Sequence, residues 1–165
     1  MTFHFSNSSE KHFQRHLHGS KMAGGTFLPF IHDLTALMKC IPDSALTLKK
    51  EQGRMRSCFV FEYKTEIGEL GILNRNEIEA NEIKTELRDG QMIDYIERNA
   101  LPQTRLFTIV AQWQKGQWQI ITAYPGGYSM PFPRRGMGRE LYDASKKYWQ
   151  NYILVKSEKC TVQSK

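Results

Sequence analysis

The chain has 165 residues, 40% of them hydrophobic, and its 23 Lys and Arg outnumber 17 Asp and Glu to give a net charge of +6. That length supports one domain with a real core. No apolar run approaches the ~18 residues of a membrane span. The odd set Cys40, Cys58 and Cys160, without C-x-x-C spacing, implies neither a zinc framework nor a disulfide scaffold and reads as three free thiols, and the basic balance favours an anionic partner.

Taken in order, Thr2 to Phe5 reads as a short strand or arm with alternating Phe3 and Phe5. Ser8 or Ser9 is placed to N-cap a helix over Glu10 to His18, with Gly19 as its C′ residue. His12 and His16, four apart, share one face of it, and Phe13 and Leu17 form the apolar stripe alongside. His18 lies near the C-terminus, where the helix dipole favours the cation. The H-x-x-x-H spacing lacks the Glu of H-E-x-x-H and has no third ligand nearby, so no metal is expected. General acid/base use suits these histidines better, and solvated histidines without a task are the plain alternative.

Pro29 to Met38 has the apolar spacing of a second helix, on which His32 reads as a core histidine rather than a catalyst. Ser57 to Tyr63 is a strand, and Ile67 to Leu73 its expected partner, weakened by Gly68 and Gly71. Asn74 to Arg88 reads as a solvated edge or loop. Met92 to Ala100 is expected to be a short amphipathic helix, ended by Pro102.

The clearest signal is Arg105 to Tyr128. Two β-branched and aromatic runs flank Gln114-Lys115-Gly116, a hairpin signature. Pro125 and Gly126-Gly127 end the return strand, which places Thr122 and Tyr124 where a chain leaves its sheet. Gly126 to Gly138 then holds four glycines, two prolines and the pair Arg134-Arg135, a composition suited to a phosphate-bearing partner. Gly138 to Val155 has the stripe of a C-terminal helix, with Leu141, Ala144, Tyr148, Tyr152 and Val155 on one face. Residues 157–165 read as a disordered tail. These elements predict an α+β domain over residues 1–165: N-terminal helices, a four- to five-stranded antiparallel sheet, then a C-terminal helix.

The ending Ile120-Ile121-Thr122-Ala123-Tyr124-Pro125 resembles the closing strand of small ribonuclease toxins of the barnase, EndoU, colicin D and RelE-like superfamily, and of RNase A-like domains from contact-dependent inhibition systems. Phe13-Gln14-Arg15-His16-Leu17-His18-Gly19 is similar to the F-x-H-L-x-G start of phage-encoded members with Phe13 shifted by one residue. The resemblance implies cofactor-free, metal-independent cleavage of RNA, tRNA included, by attack of the 2′-hydroxyl on the adjacent phosphorus. It implies His16, with His12 or His18, as acid/base groups and Thr122 as a donor to a phosphoryl oxygen. Tyr124 or Tyr128 would stack a base or donate to phosphate, while Lys21, Arg134 and Arg135 supply charge. The N-terminal MTFHFSNSSEKH lacks the apolar core of a signal peptide, so a cytoplasmic site of action is the default expectation, and a toxin delivered within a larger toxin or phage protein would read the same way. The toxin resemblance also implies an acidic immunity or antitoxin partner. The competing reading is a non-catalytic basic module that binds nucleic acid or protein.

Overall fold

The structure, a computed structural model, describes residues 3–17, 25–39, 46–51, 55–88 and 90–157. Strand β1 (Phe3–His4) buries Phe3 and exposes Phe5 just beyond it. Helix α1 (Asn7–Phe13) starts earlier than expected, because Ser6 rather than Ser8 or Ser9 is its N-cap. Ser9 N–H donates to Ser6 Oγ at 3.2 Å and Ser6 N–H to Ser9 Oγ at 2.8 Å, a reciprocal box that satisfies two orphan donors. The helix ends at Phe13 and tightens into a 3₁₀ turn over Gln14–His16, so it is shorter than the periodicity predicts. His18 and Lys21 lie outside the described residues.

Helix α2 (Leu34–Lys39) starts five residues after the expected Pro29, and His32 precedes it, exposed and 3.5 Å from the Asp33 carboxylate rather than in the core. Strands β2 (Leu46–Glu51) and β3 (Arg56–Glu62) follow, then β4 (Gly68–Glu69) and β5 (Ile72–Asn74). Residues 75–77 and 80–82 form 3₁₀ turns, and β6 (Lys84–Arg88), β7 (Gln91–Arg98) and β8 (Gln103–Thr104) come next. The predicted hairpin forms as β9 (Leu106–Gln114) and β10 (Gln117–Pro125). Its turn residues Lys115 and Gly116 both have positive φ, 50° and 78°, the pairing that matches strand twist. Helix α3 (Arg139–Asn151) leads into a last strand, β11 (Tyr152–Ser157).

The fold is α+β, but three expectations are corrected. The chain does not close on a helix: α3 stops at Asn151, and Ile153, Leu154 and Val155 become buried strand residues between β5 and β7. Residues 92–100 are not helical, since β7 pairs with β6 on one edge and β11 on the other; ladder pairing on both sides overrides a weak helical spacing. Ile67 to Leu73 does not pair with β3. It splits into β4, bonded to β8, and β5, bonded to β11. Nor are the sheets purely antiparallel, because β1 runs parallel to β10 and β11 parallel to β7.

The main sheet has the order β1-β10-β9-β3-β2 and the second β5-β11-β7-β6. One face of the main sheet carries the larger core: Phe59 and Phe61 of β3, Phe107, Ile109 and Ala111 of β9, and Ile120 and Ala123 of β10, closed by Phe13, Phe27, Ile31 and Leu37. Each large side chain among them contributes roughly 1.5–3 kcal/mol by leaving water. A smaller core of Ile96, Ile153 and Val155 backs the second sheet. No helix among the described residues is long and apolar enough to cross a membrane.

Candidate active site

The site begins with an irregularity in β10. Trp118 pairs with Trp113 and Ile120 with Ala111, but the next pairing is Thr122 with Val110, so Ile121 is extra. Residues alternate sides along a strand, and a one-residue slip moves everything beyond it to the other face. Trp118, Ile120 and Ala123 consequently pack in the main core. Thr122 and Tyr124, which would share that face in a regular strand, are turned to the opposite one with Cys58, Thr108 and Val110.

On that side lies a cavity of about 550 Å³. His12 and His16 line it from the N-terminal segment, Thr122 and Tyr124 from β10, and residues 126–132 from the following loop. Leu70 to Asn74, Tyr148, Trp149 and Tyr152 form the facing wall. The loop is fixed at its start by Thr108 Oγ1, which donates to Gly126 O at 2.9 Å. Gly126 has φ +109°, a conformation that favours glycine. Phe132 stacks on Trp149 with ring centroids 4.0 Å apart, and Trp149 Nε1–H donates to the Met130 and Pro131 carbonyls.

His16 is held in a defined state. Its Nδ1 lies 3.0 Å from Gly25 O; a carbonyl only accepts, so Nδ1 carries the proton and Nε2 is the basic nitrogen. Burial lowers its pKa below the ordinary 6.5, reinforced by His12 and Arg15 and opposed by the Gly25 bond. The imidazole is therefore neutral at pH 7. His12, whose ring centroid is 6.1 Å from that of His16, is also lowered, by burial and then Arg15. The close approach behind His16 depends on Gly25 itself: a Cβ there would meet Glu69 O at 2.4 Å.

Tyr124 sits with its ring centroid 6.0 Å from that of His16. Its hydroxyl accepts from Ser129 Oγ at 2.8 Å and Ser129 N–H at 3.3 Å. Burial pushes its pKa up to about 12, so it keeps its proton at neutral pH. Thr122 Oγ1 is buried and has no hydrogen-bond partner, an unusual condition for a hydroxyl. Tyr128 also lines the cavity, beneath the Lys50 ammonium, which is 4.5 Å from its ring centroid.

His12, His16, Thr122, Tyr124 and Tyr128 thus meet around one space. Arg134 and Arg135 do not join them. Past Phe132 the chain turns away, and both arginines line a neighbouring groove with Arg56 and Arg139. Among the described residues the histidine cavity has no Lys or Arg in its lining, and Glu77 is its one carboxylate. The aromatic wall of Tyr148, Trp149 and Tyr152 has only the look of a packing stripe in sequence; the interruption of α3 by β11, which gives these residues a cavity to face, leaves no plain mark there. No group of three His, Cys, Asp or Glu among the described residues is arranged to hold a metal ion. No protein-family model matches the chain, and no curated protein matches its sequence.

Proposed function

We propose that the chain is a metal-independent endoribonuclease that cleaves RNA through attack of a 2′-hydroxyl. The observation that carries this reading is that His16, with Nε2 as its basic nitrogen, and Thr122, whose buried hydroxyl has no partner, both line one cavity. His16 Nε2 takes the 2′-hydroxyl proton. The 2′-oxygen bonds to phosphorus, the P–O5′ bond breaks, and the products are a 2′,3′-cyclic phosphate and a 5′-hydroxyl. Thr122 Oγ1 donates to a non-bridging oxygen as charge builds there. A tyrosine of pKa about 12 donates readily only to a strongly basic oxygen, which suits Tyr124 to protonating the departing alkoxide. Tyr128 and the aromatic wall offer π-faces for bases. By this reading the natural substrate is RNA, with tRNA a suitable test substrate, and the basic surface would be met by an acidic inhibitor.

One observation favours the alternative, a non-catalytic binding module: the cavity lining lacks cations among the described residues. Incubation with total tRNA in EDTA separates the two. The nuclease reading expects cleavage that survives chelation and disappears in His16→Ala. RNA binding without cleavage supports the module instead.

A further inference from the structure

The arginines left out of the cavity form a site of their own. A groove of about 870 Å³ is lined by Arg56, Arg134, Arg135 and Arg139. Arg56 opens β3, and the others come from the turn before α3 and its first residue, about eighty positions later in the chain. All four are exposed, and none forms an ion pair with a described residue. Glu140 is the single carboxylate in the lining. Like charges brought together repel, so this convergence of guanidinium groups suits an anion that is not part of the chain. Two further features point the same way. The thirteen-residue helix α3 begins here with Gly138 as N-cap and no side chain capping it, which leaves backbone N–H groups and the positive end of the helix dipole facing the groove. Gly136, at φ +89°, turns the chain between the arginines, and nothing lies within 4 Å of where its Cβ would be.

Pro131 lines both this groove and the histidine cavity. We propose that the arginine groove is a phosphate subsite for the same RNA strand: while one phosphodiester lies at His16 and Thr122, phosphates a few nucleotides along pass over Pro131 and pair with Arg134, Arg135, Arg56 and Arg139. Guanidinium forks bind phosphate oxygens bidentately. The cavity supplies acid, base and stacking surfaces, and the groove supplies the charge that the cavity lacks. This inference rests on the nuclease reading.

Two measurements on the full chain test it separately. In the first, a fluorescent octadeoxyuridylate, which has no 2′-hydroxyl and cannot be cut by this chemistry, is titrated from 50 to 300 mM NaCl. Arg134→Ala/Arg135→Ala should weaken binding at least tenfold at 50 mM. It should also flatten the slope of log K against log salt by about 1.4, at about 0.7 for each single-strand phosphate that an arginine no longer neutralises. Lys146→Ala/Lys147→Ala, exposed farther along α3, controls for net charge and should leave the slope unchanged. In the second, kcat/KM is compared for a dinucleotide and an octanucleotide RNA. The gain with length in the wild type should collapse in the arginine variant, and Arg134→Lys/Arg135→Lys should restore part of it. Cleavage whose length dependence and salt slope ignore the arginines overturns the subsite and leaves the nuclease standing. Arginine-dependent binding by a chain that cleaves no RNA overturns the nuclease and keeps the anion groove.

Discussion

Thr122 is the residue on which structure and chemistry disagree most usefully. A buried hydroxyl without a partner costs stability, by about 1–3 kcal/mol, and the residue that carries this one lines the cavity. Thr122→Val keeps the shape and removes the polar atom. Thermal denaturation should show a variant at least as stable as the wild type, while RNA cleavage falls by about a hundredfold, the usual loss for one donor to a developing oxyanion. His16 makes a prediction in pH. Its folded pKa lies below the 6.5 of the unfolded chain, so between those values the unfolded state binds more protons and stability rises with pH. The contribution is complete above 6.5 and is lost as pH falls through the folded value. Acid should therefore lower Tm less in His16→Asn than in the wild type. As the base, neutral His16 should also hold the acidic limb of the kcat/KM profile below pH 6.5. These residues were legible one at a time: histidines four apart and a hydroxyl near a strand end are visible in sequence. That Nδ1 is engaged by Gly25 was not, because this bond depends on the close packing of Gly25 against Glu69, which appears only in three dimensions.

At the scale of elements, the bulge at Ile121 decides which side of the sheet bears the chemistry. Deleting Ile121 would remove the extra residue and leave Ile120 opposite Ala111 and Thr122 opposite Val110, so the strand becomes regular while Thr122 and Tyr124 keep the cavity side. Because Ala123 stays in the core and no hydroxyl is moved into it, urea denaturation should show a folded variant that loses no more than about 3 kcal/mol, and cleavage should persist. Gly68 makes a second prediction. A Cβ on it would lie 2.4 Å from Pro125 Cβ and 2.8 Å from Thr26 O. Gly68→Ala should therefore lower stability by about 1–3 kcal/mol and disturb the end of β10. The hairpin itself was readable because period-two alternation and a Lys-Gly turn are local signals. The bulge was hidden because Ile-Ile-Thr suits a regular strand equally well. Residues 92–100 mislead for a related reason: Ile93 and Ile96 have helical spacing, and only the two neighbouring strands reveal the ladder.

The molecule as a whole sets a large aromatic cavity on the side of the main sheet away from its core, with the second sheet and α3 contributing the facing wall. The α+β class was legible from the order of elements. The closing strand was not, since Tyr152 and Val155 continue the stripe of α3 in sequence while β11 takes them into a sheet. The same arrangement explains why the cations sit beside the cavity: Phe132 and Trp149 close the loop over it, and the arginines emerge only after the chain has turned away. The most direct measurement of the central claim is mass spectrometry of the ends produced from a defined RNA oligonucleotide in EDTA, with wild type, His16→Ala and Thr122→Val in parallel. The account predicts 2′,3′-cyclic phosphate and 5′-hydroxyl ends from the wild type, none above background from His16→Ala, and about a hundredth of the product from a fully folded Thr122→Val. Intact RNA with folded wild-type protein, or the same product at undiminished rate from both variants, would contradict it.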